Sequence, residues 1–142
     1  MDARLHFVTV AAQDLDAARS FYSRGLGWTP TLDVPDEVIF YQVAPGVLLG
    51  LFLAGKFAQD LGLDAAPVPS GIVLSHNVDG PEEVRAVVAA MTRAGGTAVQ
   101  EPQESAFGGI FRGLVRDPNG IVWEIAHNPG WQILDDGTVT LR

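Results

Sequence analysis

Residues 8–28 read VTVAAQDLDAARSFYSRGLGW, and residues 116–129 read RDPNGIVWEIAHNP. In the first stretch, β-branched and apolar residues run from Leu5 to Ala12 in the manner of a strand, and Asp14 then stands where a helix N-cap accepts backbone N–H bonds. Leu15, Ala18, Phe21 and Tyr22 follow at helical spacing, with Gly25 and Gly27 at the stop, so the spacing predicts a helix over 14–24. In the second stretch, Asp117-Pro118-Asn119-Gly120 is a strong turn signal, and it joins two strand-like runs, Ile110–Arg116 and Ile121–Ala126.

Outward from these two stretches the chain repeats one order of elements. After the first helix come three apolar runs, Trp28–Asp33, Val38–Val43 and Val47–Ala54, parted by Pro35-Asp36-Glu37 and Ala44-Pro45-Gly46. Gly62, Pro67 and Pro69 then break the pattern, leaving Lys56–Leu63 as a short helix or loop and Asp64–Ser70 as a connector. Gly71–Val78 reads as a strand. Pro81-Glu82-Glu83 opens a helix whose apolar stripe is Val84, Val87, Val88 and Met91, Gly95-Gly96 ends it, and Thr97–Gln100 is the next strand. Each half is therefore strand, helix, three strands. The predicted fold class is α+β: two βαβββ modules, 1–55 and 71–128, in one domain spanning 1–142. Halves this small bury too little surface to stand alone, so their sheets are expected to curl together into a cupped mixed sheet lined by both.

The composition narrows the chemistry. With 142 residues, 47% of them hydrophobic, a packed core is within reach. Nine basic against seventeen acidic side chains give a net charge of −8, a field that repels nucleic acid and anionic lipid, so neither is an expected partner. There is no cysteine, hence no disulfide, thiolate metal site or cysteine nucleophile. No apolar run approaches the length of a membrane span, and Met1-Asp2-Ala3-Arg4 lacks the layout of a secretory signal; a soluble cytoplasmic protein is expected. The Gly25-x-Gly27 pair ends a helix rather than opening one, so it does not read as a phosphate loop, and no serine has nucleophile-elbow surroundings.

The two quoted stretches, in this order and with the duplication, resemble the signatures of the vicinal oxygen chelate superfamily, which includes glyoxalase I, the bleomycin-resistance proteins and the extradiol dioxygenases. The resemblance implies a glyoxalase/bleomycin-resistance-like fold, usually paired into homodimers. In metal-dependent members it implies a divalent ion in the cup, held from the first and last strand of each module. Here the residues at those positions are Phe7, Gly50, Val73 and Glu124. One carboxylate is too few for such an ion, so neither metal nor cofactor is expected. His6 and His76 could join Glu124 in a different metal site, but alternation turns both histidines toward the helices unless a bulge reverses them.

Glu124 falls in the cup with Val122 and Ala126, and it reads two ways: a desolvated carboxylate suited to acid–base catalysis or ligand pairing, or one satisfied by a nearby arginine. Asn77 on the same face is a ligand contact or a structural amide, and Arg112 is a carboxylate clamp or a solvated side chain. Phe7, Phe107, Trp28 and Tyr41 form an aromatic wall, unless Trp28 and Tyr41 belong to the core. Gly108-Gly109 marks a flap or a bulge. The expected ligand-binding residues are thus Phe7, Asn77, Phe107, Arg112 and Glu124, with Glu124 the catalytic candidate. The expected function is binding of a small, largely apolar molecule. The alternatives are a divalent-metal-dependent lyase, isomerase or dioxygenase, and an interaction module whose cup is filled by its own side chains.

Overall fold

Asp14 caps the first helix as its position demands, its carboxylate accepting the Ala17 N–H at 2.9 Å. In the computed structural model, which describes residues 1–106 and 108–141, strand β1 (Phe7–Ala12) leads through that cap into α1 (Leu15–Ala18). The helix expected over 14–24 does not stay α-helical: from Arg19 to Gly25 it widens into a π-helix, and the Leu26 N–H reaches back to Phe21 O at 3.0 Å. The wider turn lets the neighbours Phe21 and Tyr22 both be fully buried. Trp28 closes this segment, its N–H donating to Tyr22 O across Gly27 at φ +75°, so the following strand β2 is only Leu32–Val34 rather than 28–33. Strands β3 (Val38–Ala44) and β4 (Val47–Leu53) complete a sheet in the order β1-β4-β3-β2, with β1 and β4 parallel. The segment read as helix or loop is a helix, α2 (Ala54–Leu61), ended by left-handed Gly62.

The second half repeats the plan. Strand β5 (Val73–Asn77), helix α3 (Pro81–Arg93) and strands β6 (Thr97–Glu104), β7 (Phe111–Arg116) and β8 (Val122–His127) form a sheet in the order β5-β8-β7-β6. Pro81 sits in the first turn of α3, and Val84, Val88 and Met91 are its buried stripe. Strand β6 runs past its expected end at Gln100 because it is an edge strand, where Pro102 need not donate to a ladder. A hairpin not anticipated from the sequence, β9 (Trp131–Ile133) and β10 (Val139–Leu141), follows. Its signal was Asp136-Gly137 between short alternating runs. The α+β fold of two βαβββ units is as expected, and among the described residues no helix is long and apolar enough to cross a membrane.

The halves meet through their helix-facing sides. Alternation puts Val10, Ile39, Tyr41, Leu49 and Leu51 of the first sheet on that side, with Phe111, Val115, Trp123 and Ile125 of the second, and all are buried in one core with Phe21, Tyr22 and the α3 stripe. Tyr41 is 1% exposed and packs with Tyr22 and Trp28, so Tyr41 belongs to this core, while Trp28 is only partly buried against it. Asn119 ties the β7–β8 turn to the start of the first helix: its side chain accepts from Asp14 N at 2.8 Å and donates to Asp14 O at 2.9 Å. Among the described residues no ladder joins the two sheets, which meet instead through this shared core. The large aromatic surfaces lie on the helix side, and burying those against each other leaves the opposite faces of both sheets open.

Candidate functional site

The open face of the second sheet carries the polar centre. Ser75 lies opposite Glu124 in the β5–β8 register, and Leu114 flanks Glu124 from β7; in the next row Asn77 and Arg112 flank Ala126. One Glu124 oxygen accepts the Ser75 hydroxyl at 3.2 Å and the other is ion-paired with Arg112 Nη1. Both members are half-buried, at 34% side-chain exposure for Arg112 and 22% for Glu124, on a face that alternation shares with Val122 and Leu114. Arg112 Nε is shielded from solvent with no hydrogen-bond partner among the described residues. With both carboxylate oxygens engaged, Glu124 acts as an acceptor that fixes the guanidinium, and acid–base work would need one of those bonds to open.

Phe7 is on the other sheet. Its ring meets Phe40 edge-on at 4.8 Å and lies across Gly50, where an added Cβ would come within 2.8 Å of the Phe7 ring. Helix α2 covers one end of this face, Phe57 packing on Phe52 at 5.3 Å. The structure therefore brings Asn77, Arg112 and Glu124 together, adds Ser75, and leaves Phe7 on a separate sheet. Phe107 lies outside the described residues. His76 shares its face with Ile125, on the helix side, as alternation predicts, and His6 precedes β1. Gly108 and Gly109 both have φ near +65°, at 65° and 64°, a conformation other residues rarely adopt.

Behind Glu124, on the buried side of β8, lies a second polar cluster that the sequence did not disclose. Tyr22 OH donates to Asp117 Oδ2 at 2.8 Å and accepts from Trp123 Nε1 at 2.9 Å; Asp117 Oδ1 accepts the N–H groups of Asn119 and Ile121. Burial pushes the Tyr22 phenol well above its ordinary value, reinforced by the Asp117 charge. Burial also pushes the Asp117 carboxyl up, against the opposing pull of Tyr22 and the backbone donors. This cluster welds the halves together.

A family model described as the Glyoxalase/Bleomycin resistance protein/Dioxygenase superfamily matches residues 4–125. The chain belongs to this superfamily. A glyoxalase-related enzyme from Fulvimarina pelagi is similar at 36% identity with a TM-score of 0.88, the match covering 99% of each chain. The fold is shared, at 19% identity and a TM-score of 0.66, with lactoylglutathione lyase from Agrobacterium tumefaciens, over 89% of this chain and 94% of that one. It is also shared with TioX from Micromonospora sp. ML1 at 21% identity and a TM-score of 0.62, over 89% and 99% of the two chains. No curated protein matches.

The superfamily's implied divalent ion does not fit this donor set. Of the four family positions, Phe7 and Gly50 are filled by a ring lying over a glycine, Val73 is hydrocarbon, and Glu124 already holds an internal cation. Among the described residues no three His, Asp or Glu side chains are grouped to hold a metal.

Proposed function

We propose that this superfamily member binds a small, largely apolar organic molecule on the Glu124 face of its second sheet, and that a second copy of the chain closes over that face as a homodimer. The observation that carries this reading is the half-buried Arg112–Glu124 pair, braced by Ser75, on a sheet face it shares with Val122 and Leu114. Glu124 fixes the guanidinium in place, and its remaining N–H groups suit an oxygen acceptor on the ligand, a carboxylate, sulfonate or carbonyl, while the surrounding hydrocarbon suits an apolar body. The open face of the first sheet, with Phe7, Phe40 and Leu48, offers apolar cover for such a body when supplied by a second copy.

The test uses 1-anilinonaphthalene-8-sulfonate, an apolar body bearing one anion. Wild-type protein is expected to bind it saturably and to sediment as a dimer, and Arg112→Met is expected to weaken binding about tenfold or more, the loss of one charge-assisted contact. Binding that is unaltered in both Arg112→Met and Glu124→Gln would overturn the reading. The likeness to a glyoxalase-related enzyme favours a second reading, a metal-assisted lyase, isomerase or dioxygenase to which Glu124 contributes. Untagged protein carrying a stoichiometric divalent ion that Glu124→Gln releases would select it.

A further inference from the structure

A cleft of about 670 Å³ opens between the two halves on the side of β8 opposite Glu124. We propose that this cleft is a second binding site, for an uncharged, flat aromatic molecule bearing one hydroxyl or carbonyl group. Its volume falls in the range of small-molecule sites, about 300–1,000 Å³. Trp28 and Trp123 both line it, their centroids 5.9 Å apart and their planes at 85°, so the aromatic part of the lining comes in two near-perpendicular orientations. The Met91 side chain faces the same space and brings a polarisable thioether.

The charge pattern selects the ligand class. In a chain of net charge −8, none of the residues lining this cleft is Asp, Glu, Lys or Arg. The titratable side chain among them is His76, exposed at the rim on β5, an edge strand of its sheet; Ser75 also borders the cleft, with its hydroxyl on Glu124, as does Gln42. A full charge on the ligand would be desolvated without a partner, whereas a single hydroxyl or carbonyl can pair with the imidazole. The half-buried hydrocarbon of Val8, Leu74 and Val87 is apolar surface that a seated ring would remove from water.

Neither Arg112 nor Glu124 lines this cleft, and its test separates the two sites. N-phenyl-1-naphthylamine, an uncharged fluorogenic probe, is titrated into the full chain at several protein concentrations. Saturable binding is expected, weakened about tenfold by Ala90→Leu, which fills the cleft from α3, and changed less than about twofold by Arg112→Met. Val43→Phe fills the cleft from the rim, where Val43 is 44% exposed, and keeps the test standing if Ala90→Leu misfolds. In competition, 1-naphthol is expected to displace the probe better than naphthalene, and His76→Leu to erase that difference. The proposal is overturned if the probe does not saturate, or if Arg112→Met rather than the filling variants abolishes binding. It is overturned also if binding disappears as rising protein concentration drives self-association, which would mean that a second copy occupies the cleft.

Discussion

Replacing Tyr22 by phenylalanine deletes one oxygen and strips two buried groups of their partner. Tyr22 is fully buried, and its hydroxyl serves Asp117 Oδ2 at 2.8 Å and Trp123 Nε1 at 2.9 Å, so the ring keeps its packing while a carboxylate oxygen and an indole N–H lose a bond. Each unsatisfied buried group costs about 1–3 kcal/mol, which puts the loss for the two at roughly 2–6 kcal/mol. For a chain of this size that corresponds to a fall in Tm of roughly 6–18 °C. Urea unfolding followed by tryptophan fluorescence, at fixed protomer concentration, is expected to show a lower midpoint with an unchanged slope. The cost is also expected to depend on pH. Asp117 has a folded pKa above its ordinary 3.8, so the stability linked to its protonated form is present in acid and lost as pH rises through the window above that value. The Tyr22 bond opposes this rise, and its removal widens the window; the penalty of Tyr22→Phe is therefore smallest near pH 4 and larger at neutrality. A Tm change below about 2 °C, or a penalty identical at both pH values, would refute the account of this cluster.

Asn119→Ala removes both bonds to Asp14 and the link from the β7–β8 turn to the first helix; a loss of about 1–3 kcal/mol is expected in thermal melting. Gly50→Ala drives a methyl group into the Phe7 ring and is expected to destabilise by roughly 1–3 kcal/mol, with much of that recovered in the Phe7→Ala background, a coupling that a double-mutant cycle measures. Glu124→Gln, on a half-buried ion pair, is expected to change stability by no more than about 1 kcal/mol while weakening binding of 1-anilinonaphthalene-8-sulfonate, because Gln holds the guanidinium less firmly; calorimetric titration compares the two effects.

Parity along each strand was legible because it is a local property. Arg112 and Glu124 on one face, Phe111, Val115, Trp123 and Ile125 on the other, and His76 turned away from Glu124 all follow from alternation without knowledge of the fold. Other features were illegible for stated physical reasons. The π-helical widening at Arg19–Gly25 leaves the apolar spacing helix-like, and what decides it is the tertiary demand of burying Phe21 and Tyr22 together. Asp117 reads as a turn residue, and nothing in DPNG shows that its carboxylate faces a tyrosine from the other half of the chain. Alternation likewise says which residues share a face, but not which of two faces meets the other half.

That last choice shapes the function. Two sheets with aromatic helix-side surfaces lower their free energy most by joining those surfaces, and the Tyr22–Trp123–Asp117 contacts record that they have. The same choice places Phe7 and Glu124 on the open faces of separate sheets, so the Phe7 face is not part of the sheet that carries the Arg112–Glu124 pair. It also leaves Trp28 and Trp123 lining a cleft between the halves. Tight joining of the halves and an apolar recess between them are thus one packing solution seen from two sides. A substitution that loosens Tyr22 is expected to disturb the cleft before it disturbs the Arg112–Glu124 face, which is held within the second sheet by Ser75.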